Sequence, residues 1–258
     1  MTASASLPKT PSFRLDGRAA LITGAGRGIG RAAAVALAEA GAEVTLSARS
    51  NDEIEALANE IQAAGGTARP LKLDVTDTVT VKKQISAEGP YQILVNSAGG
   101  NRPAMLPDIT EEDYDFITDL NVRASVFVAQ TVAKGLIENK LPGSIINVSS
   151  QMGHVGGPKR TVYCATKHAI EGATKAMAWE LGPHNIRVNT LCPTFIKTPM
   201  VAKFLEDKEF NDFVTSNIAL GRVGDVNDVM GAVVFLASDA AGLVTGSALM
   251  VDGGWTAE

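Results

Sequence analysis

The sequence predicts a single α/β domain, a doubly wound sandwich built on a seven-stranded parallel sheet. Three observations lead there. Short apolar runs alternate along the chain with longer stretches of helical period. A glycine-rich turn links the first run to the first helical stretch. No Ser/Pro/Gly-rich linker and no block of charge interrupts the alternation. Strands alternating with helices imply βαβ units, and right-handed crossovers wind the helices onto both faces of one sheet.

The elements follow in order. Residues 1–14 lack the apolar stretch of a signal peptide and read as a flexible tail, leaving 15–258 as the domain. The run AALIT at 19–23 feeds a helical pattern at 28–41, and EVTLSA at 43–48 feeds one at 52–64. ARPLKL at 68–73 leads to 78–88, and QILVN at 92–96 leads to a long pattern at 111–139. SIINVS at 144–149 precedes 162–182, and IRVNTL begins a sixth strand at 186–191. An excursion at 193–224 carries Thr, Pro and Met, with a short charged helical pattern near 200–214. Such long excursions are more often functional than filler. A helix at 226–238 and the run SALMVD at 247–252 complete the set.

Composition excludes several classes. With 45% apolar residues the chain can build a sizeable core, and its formal charge of −5 gives no general attraction to nucleic acid or to an anionic membrane. The two cysteines, Cys164 and Cys192, make neither a metal-binding spacing nor a disulfide framework, so no metal site is expected. No apolar run reaches the roughly 18 residues of a membrane span. A cytoplasmic setting is the resulting expectation.

Two stretches carry chemistry. TGAGRGIG at 23–30 joins strand to helix, where glycines allow a tight turn, close approach of a pyrophosphate, and helix-to-sheet packing. The helix N-terminus that follows offers free N–H groups to phosphates. In VYCATKHA at 162–169, Tyr163 and Lys167 are four apart, hence on one helix face. An ammonium beside a phenol favours the phenolate and makes a proton donor and acceptor usable near neutral pH. Taken alone, the octet also fits an amphipathic Tyr and a solvated Lys.

With its TGxxxGxG spacing the chain resembles the short-chain dehydrogenase/reductase family, over nearly all of 15–254. NSAG at 96–99 resembles the family's N-N-A-G, and LDV at 73–75 its adenine-contacting segment. Asn121 stands where the family's helix-four Asn stands. Ser150 precedes Tyr163 by 13 residues, the family's interval, and RVNTLCP and TGSALMVDGG resemble its last two strands. Two departures stand out: Ser97 replaces the second Asn of N-N-A-G, and Thr194 follows Pro193 where Gly is usual.

The resemblance implies a Rossmann-like fold and reversible ketone reduction or secondary alcohol oxidation with a nicotinamide dinucleotide. Asn121, Ser150, Tyr163 and Lys167 would form the catalytic set. Tyr163 would move the proton, Lys167 would lower the Tyr163 pKa and hold the nicotinamide ribose, and Ser150 would bond the substrate oxygen. Asn121 would sustain a proton path through Lys167 to solvent. Gly24, Arg27, Gly28, Ile29, Gly30, Arg49, Asp74, Val75, Asn96, Ala98, Gly99, Pro193, Ile196 and Thr198 would join Tyr163 and Lys167 around the cofactor. Ser150, Gln151, His154 and Tyr163 would meet the substrate.

The end of the second strand discriminates between cofactors. NAD enzymes place an acid there for the ribose hydroxyls, whereas this chain has Ala48 followed by Arg49. A guanidinium suits a 2′-phosphate, and Arg27 in the glycine turn could approach the same group. NADP(H) is therefore expected, with NAD(H) as the alternative. Gln151, His154, Lys159 and Arg160 give polar reach to a pocket lined by 101–106, 151–160 and 195–214. They point to a polyol, sugar or sugar acid. A 3-oxoacyl thioester on a carrier protein is the alternative, and a non-catalytic dinucleotide-binding regulator a remote one. By family analogy, and from apolar Leu249 and Val251 at a sheet edge, a homotetramer is expected.

Overall fold

The computed structural model describes residues 7–257, without the side chains of Met200, Lys203 and Phe204. Seven strands form one parallel sheet: β1 Ala19–Thr23, β2 Glu43–Ala48, β3 Thr67–Lys72, β4 Ile93–Asn96, β5 Gly143–Val148, β6 Ile186–Pro193 and β7 Ala248–Val251. Their spatial order is β3-β2-β1-β4-β5-β6-β7. The helices are α1 Gly28–Glu39, α2 Asn51–Ala63, α3 Thr78–Glu88, α4 Glu111–Thr118, α5 Ala124–Glu138, α6 Thr161–Leu181, α7 Pro199–Leu205, α8 Lys208–Ser216 and α9 Asn227–Ala237. The doubly wound sandwich expected from the sequence is the fold observed.

Period-two alternation divides the core between two faces. Ile22, Val95 and Ile146 pack with Leu37 of α1, Ile54 of α2 and Val229 and Val233 of α9. Their strand neighbours Leu21, Leu94 and Ile145 pack the other way, against Val81 and Ile85 of α3 and Val128 and Val132 of α5. Helices thus cover both faces, which explains why the central strands read as nearly unbroken apolar runs.

Strand register creates the site. Thr23 pairs with Ser47 and with Asn96, Asn96 with Asn147, and Asn147 with Thr190. A row of polar residues therefore crosses the carboxyl edge of the sheet. Strand order reverses at β1, which has β2 on one side and β4 on the other. Ligands of open α/β sheets bind in the crevice outside that switch point.

Three features differ from the sequence reading. The single helix expected over 111–139 is broken by a wide π turn at Asp119–Arg123. Asn121 sits in that turn with its amide bonded to another segment, the kind of local demand that π turns accompany. The excursion holds two short helices rather than one. Phe195, Phe210, Phe213 and Trp255 cluster there, with ring centroids 5.7 to 6.2 Å apart. Residues 1–6 of the expected tail lie outside the described residues. Phe13 already rests 6.5 Å from the Phe235 ring, and Arg14 donates to the Glu39 carbonyl at 3.0 Å.

Candidate active site

One cleft runs along the carboxyl edge of the sheet. Its floor begins at Gly24, Gly28 and Gly30, passes the ends of β2, β3 and β4, and reaches Ser150, Tyr163, Lys167 and Thr198. Two glycines are required there. Gly24 has φ +66, and a Cβ on it would lie 2.9 Å from the Ala98 backbone. A Cβ on Gly30 would overlap the Gly24 carbonyl. Any side chain at either position would block the turn.

The helix end behind that turn is open. Asp77 caps α3 with bonds from the Val79 and Thr80 amides, and Thr110 caps α4 through the Asp113 amide. The α1 N-cap residue, Arg27, makes no side-chain cap bond, and the first turn contains no acid. Its N–H groups are left for an anion. Arg27 and Arg49 line the cleft and are exposed, without an ion pair among the described residues. Ser47 Oγ, at the end of β2, is buried and unbonded. A phosphorylated dinucleotide fits these groups. Glu53, which sequence reasoning missed, also lines this end, its carboxylate packed against Gly26.

At the other end, Ser150 Oγ accepts the Met152 amide at 3.1 Å, so its own proton stays available to donate. Lys167 donates to the Val148 carbonyl at 2.8 Å and lies 5.5 Å from the Tyr163 ring centroid. Burial brings the Lys167 ammonium down to about 8. The expected depression of Tyr163 by Lys167 is not observed. Burial pushes the Tyr163 phenol up, opposed by the Ser150 hydrogen bond and the Arg160 charge.

Most of the expected cofactor residues line the cleft: Gly24, Arg27, Gly28, Ile29, Gly30, Arg49, Asp74, Val75, Ala98, Gly99, Pro193, Ile196 and Thr198. Of the expected substrate residues, Ser150, Gln151 and Tyr163 do too. Three residues do not. Asn96 turns below the floor and bonds the Ser125 carbonyl and Asn147, each at 3.0 Å, because alternation sends its side chain to the α5 face. Asn121 is buried; its amide clamps Gly100 N and O at 2.9 Å each and Thr166 Oγ1 at 3.1 Å. Its amide is thus spent on positioning the 97–100 segment.

His154 points behind the Ser150 loop. Its Nε2 lies 3.6 Å from Cys192 Sγ and 3.5 Å from Glu171 Oε1. Cys192 donates to Glu171 Oε1 at 3.3 Å, and Thr190 to Oε2 at 2.8 Å. These three groups have metal-ligand chemistry and converge within 4.8 Å. Burial pushes the Cys192 thiol up to about 12, so it remains a protonated donor in a closed hydrogen-bond network. Glu171, four residues after Lys167 on α6, was the missed sequence signal. Thr194 has no positive φ among the described residues, so replacing the usual Gly does not strain the backbone.

A family model described as enoyl-(acyl carrier protein) reductase matches residues 24–256. The chain belongs to the short-chain dehydrogenase/reductase family. Within that family, D-erythrulose reductase from Gallus gallus is 42% identical over 245 residues, 95% of this chain and 98% of that protein. A 3-oxoacyl-[acyl-carrier-protein] reductase from Thermotoga maritima is 39% identical over 246 residues, 94% of this chain and 99% of that protein. The crystal structure of a gluconate 5-dehydrogenase from Burkholderia cenocepacia J2315, in complex with NADP and tartrate, superposes with a TM-score of 0.92. It is 36% identical and covers 95% of this chain and 98% of that one. No described helix is long and apolar enough to cross a membrane.

Proposed function

We propose that this chain is an NADP(H)-preferring oxidoreductase that interconverts a ketone and a secondary alcohol on a polyol, sugar or sugar acid. The observation that carries the reading is the single cleft joining the open α1 N-terminus to Ser150, Tyr163 and Lys167. The glycine turn and α1 N–H groups would hold the pyrophosphate, and Arg27 and Arg49 the 2′-phosphate. A bound nicotinamide dinucleotide supplies or accepts the hydride. The rest is done by this chain's own side chains.

Burial keeps the Tyr163 hydroxyl protonated at neutral pH, the form that donates to a substrate oxygen as negative charge develops. Ser150, whose hydroxyl is bonded to Tyr163 in the unliganded site, would turn its proton to the same oxygen and stabilise that charge. Lys167 is charged below about pH 8 and adds a fixed positive field. In oxidation the alcohol proton would pass to Tyr163 only after its own proton has left, so the phenolate is the acceptor. Asn121 acts one step away, by fixing Gly100 and, through Thr166, the start of α6.

NADP(H) is favoured over NAD(H) by the missing acid at 47–50, by Arg49, and by the NADP in the Burkholderia neighbour. A sugar-like substrate is favoured over a 3-oxoacyl thioester by buried unbonded Gln151 and Thr194 in the cleft. We further propose a cytoplasmic homotetramer. Apolar Leu249 and Val251 on the edge strand β7 and the 86%-exposed Trp179 on α6 support self-association, and sedimentation as a monomer would refute it.

The test is hydride transfer from NADPH to a ketose and keto-acid panel, with Tyr163→Phe alongside. We expect turnover in the natural protein and a kcat loss of about 10²–10⁴-fold in the variant, with cofactor binding kept. Near-natural kcat in Tyr163→Phe would remove Tyr163 from its role.

A further inference from the structure

The substrate end of the cleft contains a cation with no protein partner. Arg160 is the N-cap residue of α6, three residues before Tyr163, and makes no cap bond. Arg160 is half-buried and is among the residues lining the cleft, as are Tyr163 and Ser150. Among the described residues it has no ion pair and no side-chain hydrogen bond, unlike Arg14, Arg18, Arg31, Arg69, Arg102 and Arg222, each paired with an acid. Burial without an acid pulls its pKa below the usual arginine range. A desolvated, unpaired charge is costly unless a ligand completes it.

No acid in the cleft offers that completion. The acids lining it, Glu53 and Asp74, stand near the ends of β2 and β3, at the cofactor end. Asp113 lines a small hollow next to Arg160, but Arg102 already holds it at 2.7 Å. The loop before Arg160 is also held in a rare shape. Lys159 has φ +59, a left-handed conformation that costs a non-glycine residue about 1 kcal/mol or more.

A second observation points to the same ligand. Gln151 is 1% exposed, yet neither its amide nitrogen nor its oxygen has a partner. Thr194 Oγ1 is likewise buried and unbonded. Both line the cleft. Buried polar groups in native proteins nearly always find partners, so two unbonded ones among the residues that line the cleft are unusual.

Resting on the oxidoreductase reading above, we propose that Arg160 binds the carboxylate of the substrate. Gln151 and Thr194 meet hydroxyls beside the reacting carbon. The natural substrate is then a keto acid and its hydroxy-acid partner of the sugar-acid class, not a neutral polyol. Arg suits this role because its planar fork matches both oxygens of a carboxylate.

Two measurements test it. In the first, kcat/KM is compared for 5-keto-D-gluconate and for D-fructose, with NADPH. The natural protein should favour the keto acid at least tenfold, and Arg160→Gln should shrink that ratio at least tenfold, mainly through KM. Arg160→Lys, which keeps the charge but not the fork, should recover part of it. An equal loss on both compounds, or a natural preference for fructose, would overturn the assignment. In the second, D-gluconate is added with NADP and the melting temperature is followed. The natural protein and Tyr163→Phe should both be stabilised, and Arg160→Gln should not. If no carbonyl is turned over but this pattern is found, the carboxylate site stands and the catalytic reading falls. A gluconate shift that is absent, or unchanged in Arg160→Gln, overturns the carboxylate site itself.

Discussion

Replacing Lys167 by Met should make the cofactor-free protein more stable while abolishing turnover. Lys167 is 7% exposed, and burial lowers its ammonium from 10.5 to about 8. Each pH unit is worth about 1.4 kcal/mol, so the folded protein carries roughly 3 kcal/mol of desolvation cost at pH 7. Met fills similar space without the charge. It leaves the Val148 carbonyl unpaired, which returns about 1 kcal/mol. The net expectation is about 2 kcal/mol of added stability. For a chain of this size that raises the melting temperature by roughly 4–8 °C.

The pH dependence has a definite sign. Because the folded pKa is depressed, the unfolded chain holds a proton between about pH 8 and 10.5 that the folded chain has released. Stability of the natural protein should therefore climb across that window. Below about 8 both states are protonated and the cost is full. Lys167→Met should lack this climb, and the gap between the two proteins should narrow towards pH 10. Calorimetric melts at pH 7, 8, 9 and 10 read this directly. A variant that melts below the natural protein at pH 7, or shows the same climb, would refute the account.

The other predictions concern the two ends of the site. Ala48→Asp with Arg49→Leu should shift the ratio of kcat/KM for NADPH over NADH towards NADH by more than tenfold, about 1.4 kcal/mol; an unchanged ratio would place the 2′-phosphate elsewhere. Asn121→Leu keeps the volume but strips the Gly100 backbone and Thr166 of their partners. It should cost about 2–4 kcal/mol in denaturant unfolding and lower kcat, and unaltered stability would show that the clamp is not needed.

Alternating runs and glycine spacing were enough to read seven parallel strands and the switch-point crevice, while the chemistry at its edge came only from the family resemblance. Those features depend on local rules: period two in strands, period 3.6 in helices, and steric need for glycine in a turn. Gly24 and Gly30 were legible because only a missing Cβ fits there. Helix period placed Tyr163 and Lys167 on one face, but only the family resemblance gave that pair a role.

What the tertiary structure decided is where each polar group points and what it bonds. Asn96 and His154 belong to the right segments, yet alternation turns Asn96 under the floor and the Ser150 loop turns His154 towards Cys192 and Glu171. The π turn at Asn121 leaves no periodic trace, since it answers a bond to a backbone 21 residues away. Burial, Ser150 and Arg160 all act on the Tyr163 phenol, and none of the three was visible from the Tyr–Lys spacing. The open state of Arg160 was likewise invisible in the sequence, where it stands beside Lys159 like any surface cation. A charge's partners come from segments distant in the chain, and only packing shows that Asp113 is already taken by Arg102 while Arg160 has no ion pair among the described residues.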